Sequence, residues 1–154
     1  MRVLTQTNYD IQDKFREIRI PLHGLYNKDD FPRDYRPGNY IINLDHSSGQ
    51  GTHWTAMMVL PKEVFYFDSF GQDMPEVLRK KLKGKKVYYN DKHIQDIHAS
   101  SCAYWCIAFF CYMNRVTKWH KNSDLDHYQE FLDLFNPIDQ TQNEQVLEVF
   151  LKPF

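Results

Sequence analysis

Cys102 opens an apolar run, Ser101-Cys102-Ala103-Tyr104-Trp105-Cys106, that reads as the start of a helix over Ser101–Val116. A thiol at that place sees the positive end of the helix macrodipole. That favours the thiolate, the form that attacks a carbonyl carbon. Such a nucleophile needs a base. His53 stands near the start of the extended run Thr52–Leu60, just after the glycine-containing turn His46–Gly51. Neutral imidazole accepts a thiol proton near physiological pH. Asp68 ends the next extended run, Val64–Phe67, and a carboxylate there can hold the imidazole in one tautomer. Gln95 lies seven residues before Cys102, and its amide, with the backbone N–H of Cys102, can donate to a developing oxyanion. His53, Asp68, Gln95 and Cys102 are therefore the candidate catalytic set.

Each of these residues also has an ordinary role open to it. Cys102 can be a buried structural thiol, as Cys106 and Cys111 deeper in the same helix are expected to be. His53 is one of 7 histidines, Asp68-Ser69-Phe70-Gly71 is good turn chemistry, and an isolated Gln suits a surface. Trp54 faces away from His53 on an alternating strand and reads as core. His93 and His98 cluster with Cys102 in sequence and His46 is available, but the spacings fit no paired zinc-ligand pattern, so no metal is expected.

The elements that must position these residues follow from hydrophobic period and punctuation. Asn8 to Ile18 is a short helix, with Asn8 or Asp10 available to accept its first amides. Pro21 and Gly24 close that region, and a polar loop with Pro32 and Pro37 follows. Asn39–Leu44, Thr52–Leu60, Val64–Phe67 and Lys86–Asn90 read as strands. The short turn Pro61-Lys62-Glu63 makes the middle two an antiparallel pair, which brings His53 and Asp68 to the same end without fixing their register. Pro75–Lys83 is helical, with Gly84 at its end. Ser123–Phe135 and Thr141–Leu151 are amphipathic helices, the second with a capping box of Thr141 and Glu144. The expected fold class is α+β: a small mixed, largely antiparallel sheet packed between helices.

The 154 residues suit one domain, 1–154, and the 16% aromatic content suits a compact core. The formal net charge of -1 supplies no global field to draw in nucleic acid. The basic run Arg79, Lys80, Lys81, Lys83, Lys85 and Lys86 reads as a solvated helix end, with a weak nucleic-acid contact as the minor alternative. The first residues carry no signal-peptide pattern, and the apolar runs at Thr55–Leu60 and Cys102–Met113 are too short for a bilayer, so no membrane partner is expected. The 3 cysteines fall within residues 102–111, which points to free thiols in a reducing compartment.

In this order and context the motifs resemble one family. Gly51-Thr52-His53-Trp54, then Phe65-Tyr66-Phe67-Asp68-Ser69-Phe70-Gly71, then Gln95, then Ser101-Cys102-Ala103-Tyr104-Trp105-Cys106 are similar to the adenovirus-type (adenain-like) maturation proteases, relatives of the SUMO and ubiquitin-like proteases. The virophage and Polinton (Maverick) branch is the nearest in pattern. The resemblance extends upstream through Asn8-Tyr9-Asp10-Ile11 and Gly38–Leu44, covering about residues 8–111. It implies papain-like active-site geometry in the permuted chain order His, Asp, Gln, Cys. It also implies a triad of His53, Asp68 and Cys102 with Gln95 in the oxyanion hole, and Trp54 beside the substrate.

The implied activity is a cysteine endopeptidase cutting viral capsid precursors at glycine-containing sites, within virions or in the host cytoplasm or virus factory, as a monomer. Deconjugation of ubiquitin-like tails or acyl transfer on the same scaffold is the alternative enzyme, and an inactive capsid-binding relative the alternative without catalysis. Two departures stand out. Ala103 occupies a position where the family usually has glycine. The adenovirus enzyme is activated by a peptide and by DNA, whereas this chain lacks strong basic charge and has no cysteine outside 102–111 for a peptide disulfide. It is therefore expected to work with no cofactor.

Overall fold

The computed structural model describes residues 7–44, 53–96, 101–119 and 123–151. The expected turn His46–Gly51, and His98 with its neighbours just before Ser101, lie outside the described residues. The elements are α1 (Asn8–Ile18), β1 (Gly24–Asn27), β2 (Gly38–Asn43), β3 (Trp54–Val59), β4 (Glu63–Phe67), α2 (Glu76–Lys81), β5 (Lys86–Tyr89), α3 (Cys102–Trp119), α4 (Asp124–Asp133) and α5 (Gln140–Phe150). The class is α+β, with a mixed five-stranded sheet and helices on both faces.

The strands lie side by side in chain order, β1 to β5. The centre β2-β3-β4 is antiparallel, but both edges are parallel: β1 to β2 and β4 to β5. The sheet is thus evenly mixed rather than largely antiparallel. The sequence reading missed β1, four residues long and with no apolar alternation. It sits in the region read as closed by Pro21 and Gly24. It forms because the chain returns through residues 28–37 to place Gly24 beside Tyr40 and Asn27 beside Asn43.

Alternation divides the sheet's side chains between two clusters. Ile41, Trp54, Ala56, Met58, Phe65 and Phe67 face α1, α3, α4 and α5. Tyr40, Ile42, Met57, Val59, Val64 and Tyr66 face Phe31, Leu78 of α2 and Leu82 just past its end. Because β3 and β4 bury both faces, they read as continuous apolar runs.

α3 is enclosed by the sheet and its neighbouring helices, which accounts for its all-round apolar sequence. Phe109 stacks on Phe67 at 5.3 Å and 3°, and Phe131 of α4 closes on both rings. Full burial of one such side chain contributes about 1.5–3 kcal/mol. Tyr128 of α4 also donates its hydroxyl to the Tyr66 carbonyl (2.6 Å), tying the helix layer to β4.

Two helix starts differ from the sequence reading. α1 is capped by Thr7, whose hydroxyl accepts from the Asp10 amide while the Asp10 carboxylate accepts from the Thr7 amide, a reciprocal box. Asn8 lies inside the helix. α5 begins at Gln140 after Asp139, so Thr141 is already helical and the expected Thr141–Glu144 box does not form. The Thr141 hydroxyl instead donates to Asp139, and the Glu144 carboxylate is taken by Ser101 and Trp105 of the α3 region. The basic run is largely engaged by the fold: Arg79 binds Asp73, Lys81 donates to the Asp29 carbonyl, and Lys85 to the carbonyls of Leu60 and Pro61. No helix among the described residues is long and apolar enough to cross a membrane.

Candidate active site

The β3–β4 register pairs Ala56 with Phe67 and Val59 with Val64. Continued past the strand ends, it sets Asp68 opposite Thr55 and His53 opposite Phe70. That offset lets the imidazole reach diagonally back to the carboxylate. His53 Nε2 lies 2.7 Å from Asp68 Oδ1. The His53 and Phe70 rings stack at 4.7 Å and 25°, and Phe70 in turn meets His93 edge-on. The ring is therefore held by a hydrogen bond at one nitrogen and an aromatic wall on one face.

Asp68 is fully buried and held from three sides. Its Oδ1 also accepts from the Phe70 amide (2.8 Å), the local turn bond that Asp favours at such a place. Asn90, at the end of β5, accepts from the Asp68 amide (3.0 Å) and donates to the Asp68 carbonyl (2.6 Å) and the Lys92 carbonyl (3.2 Å). One buried side-chain amide thus supplies the partners a further strand residue would have given. Gly71 completes the turn, its N–H donating to the Asp68 carbonyl, with φ at +73°. A Cβ there would stand 2.8 Å from the carbonyl carbon and oxygen of Lys92, so glycine is needed for conformation and for space.

The nucleophile candidate arrives from the other side. Cys102 is the first residue of α3 and is partly exposed, whereas Cys106 and Cys111 are buried. Burial pushes the Cys106 and Cys111 thiols up, which suits structural thiols and not nucleophiles. His53 registers Cys102 directly. Burial of the imidazole works against its charged form, but the hydrogen bonds it donates to Asp68 and Cys102, together with their negative charge, outweigh it and raise the pKa from 6.5 to about 9.

Gln95 is buried beside the Asp68 turn. The Ile94 and Gln95 amides both donate to the Ser69 carbonyl (2.9 and 3.0 Å), and the Ser69 hydroxyl donates to Gln95 Oε1 (2.6 Å). α5 then joins this segment to the start of α3. Asn143 donates to the Ile94 carbonyl (3.0 Å), and the next residue, Glu144, accepts from the Ser101 hydroxyl (2.9 Å) and the Trp105 indole N–H (3.4 Å). Adjacent residues of one helix therefore hold the positions immediately before Gln95 and Cys102.

His53, Asp68 and Cys102 thus converge, and Gln95 is anchored next to Asp68 through Ser69. Trp54 is 5% exposed and packs with Ala56 and Met58 on the α3 side of the sheet. Ala103 is buried in the same core. Sequence reasoning missed Ser69, Asn90, Asn143 and Glu144. Only Asn90 carried a usable signal, as a polar residue ending an otherwise apolar strand. No group of three or more His, Cys, Asp or Glu side chains suited to a metal ion occurs among the described residues.

The attacking group in such an arrangement is a thiolate, the proton carrier an imidazole, and the electrophile a carbonyl. No family model and no curated protein matches the chain. Among solved structures it is similar to the selenomethionine crystal structure of the ASFV pS273R protease, with 16% identity, a TM-score of 0.38, and coverage of 59% of this chain and 38% of that one. The chain therefore spans well under half of that protease's length.

Proposed function

We propose that the protein is a cysteine peptidase in which Cys102 attacks the scissile carbonyl. His53 carries the proton, Asp68 orients His53, and the Gln95 amide with the Cys102 backbone N–H receives the oxyanion. The observation that carries this reading is the imidazole shared between a buried carboxylate and a helix-start thiol, with Nε2 2.7 Å from Asp68. A pKa of about 9 keeps the imidazole protonated at neutral pH, the form that stabilises a thiolate beside it.

The sulfur adds to the carbonyl carbon, and negative charge moves to the carbonyl oxygen, which the two N–H donors meet. The oxyanion collapses, the C–N bond breaks, and the imidazolium proton passes to the leaving amine. Water, deprotonated by the now neutral His53, then adds to the thioester; the C–S bond breaks, the acid product leaves, and the thiolate and imidazolium are restored. Nothing in this sequence requires a metal or an organic cofactor.

The substrate class follows from the motif resemblance: capsid or capsid-associated precursors, cut at glycine-containing sites during virion maturation. The test is co-expression with a capsid precursor that carries glycine-containing sites, with mass measurement of the fragments. Cleavage by the wild type that disappears in Cys102→Ala supports the reading, and processing that persists in Cys102→Ala sinks it.

A further inference from the structure

We infer that Ser69 is a positioning residue for the oxyanion donor, its buried hydroxyl holding the Gln95 amide by Oε1 so that Nε2 is the end that donates to the oxyanion. The inference rests on the peptidase reading and extends it to a residue outside the triad motif.

A glutamine amide has two ends of nearly equal size and opposite hydrogen-bonding sense. Only one orientation serves catalysis. With Nε2 facing the substrate the amide donates to the oxyanion, whereas with Oε1 there it repels the same charge. Backbone anchoring alone does not choose between the two. The segment carrying Gln95 is pinned by the Ile94 and Gln95 amides on the Ser69 carbonyl and by Asn143 on the Ile94 carbonyl. Both sets of bonds survive a half-turn of the side-chain amide.

The Ser69 hydroxyl does choose. Ser69 is 1% exposed and Gln95 is 1% exposed, so the bond between them is shielded from water. Among the described residues, the acceptor for the Ser69 hydroxyl proton is Gln95 Oε1, at 2.6 Å. A flipped amide would present N–H hydrogens to that oxygen and leave the buried hydroxyl proton without an acceptor there, an arrangement that costs more than a normal bond contributes. Ser69 also follows Asp68 directly in the chain. The turn that aims the carboxylate at His53 therefore aims the hydroxyl at Gln95, and one tetrad turn, Asp68-Ser69-Phe70-Gly71, sets both the base and the oxyanion donor.

The experiment compares wild type, Ser69→Ala, Gln95→Ala and the double variant on a coumarin amide of a glycine-ending tetrapeptide, with three readouts. In the first, Ser69→Ala lowers kcat about tenfold with KM little changed, part of the roughly 100-fold or greater loss that removal of an oxyanion donor brings. In the Gln95→Ala background the same substitution has no further effect. In the second, alkylation of Cys102 by iodoacetamide, which develops no oxyanion, stays within about twofold of wild type in Ser69→Ala. In the third, the side-chain amide resonances of Gln95 in 15N-labelled protein shift and broaden in Ser69→Ala, as the amide begins to sample both orientations.

An equal loss of kcat in both backgrounds overturns the inference, as does an unchanged Gln95 amide signal. If the wild type hydrolyses nothing, the peptidase reading fails on its own, and the amide resonances still decide whether Ser69 orients Gln95.

Discussion

Replacement of Asp68 by Asn tests the electrostatic heart of the site. The carboxamide keeps the shape and an oxygen for the Phe70 amide but removes the charge beside His53. Burial then acts on the imidazole with one of its two counterweights gone, so its pKa falls from about 9 back toward 6.5. The catalytic consequence is a shift in the basic limb of kcat/KM. On the proposed mechanism, wild-type activity should decline as pH rises through about 9, because the imidazolium that protonates the leaving amine is lost. In Asp68→Asn the decline begins near neutral pH, with a loss of at least about tenfold at pH 8, since one pH unit past a pKa is a factor of ten.

The same perturbation has a thermodynamic face. A folded-state pKa raised above its unfolded value stabilises the protein fully below pH 6.5, and that stabilisation is lost as pH rises through about 9. The difference between 6.5 and about 9, at about 1.4 kcal/mol per pH unit, makes about 3–4 kcal/mol for the imidazole. Urea denaturation across that range should show the wild type losing stability on this scale and Asp68→Asn losing much less. Direct titration of the His53 ring protons by NMR is the decisive assay. A midpoint still near 9 in Asp68→Asn would refute the reasoning, because Asp68 would then not be what holds the proton on the ring.

Asn90→Ala removes the three bonds that fix the Asp68 backbone and the Lys92 carbonyl, and should cost about 2–3 kcal/mol in chemical denaturation, with a fall in kcat larger than any change in KM. Gly71→Ala forces a side chain into a left-handed backbone and against Lys92, so a loss of at least about 1–2 kcal/mol is expected, measured as a lowered Tm. Glu144→Ala strands the buried Ser101 hydroxyl and the Trp105 N–H, for about 2 kcal/mol, whereas Glu144→Gln keeps an acceptor and should retain most of that stability in the same assay.

The central hairpin was legible because β3 and β4 are long apolar runs joined by a short turn, and that turn forced His53 and Asp68 to one end. The register was not legible. Runs buried on both faces carry no polar alternation to fix it, and the His53–Asp68 contact depends on a two-residue diagonal that only pairing reveals. β1 and the parallel edges escaped for a related reason: their pairing partners are set by crossovers through residues 28–37 and α2, not by local pattern.

The supports of the site were least visible. Asn143 and Glu144 look like solvated positions on an amphipathic helix, and the Thr141–Glu144 spacing mimics a cap. Their actual partners, Ile94 and Ser101, lie more than forty residues away in the chain. Ser69 reads locally as a turn residue, and its bond to Gln95 spans 26 positions. The residues of the candidate site could be picked out by type and order, whereas most of those that hold them in place act through tertiary contacts with no local signature.

The grip of α5 on Ile94 and Ser101 bears on when the molecule becomes competent. During synthesis the thiol, the imidazole, the carboxylate and the amide donor have all emerged well before residues 143 and 144 follow. Until that late helix docks, the carbonyl ahead of the amide donor and the hydroxyl ahead of the thiol lack the side chains that hold them in the finished fold. A growing chain therefore carries every group of the candidate site without the clasp that spaces them, and assembly of that geometry waits for α5, some forty residues beyond the thiol, to arrive.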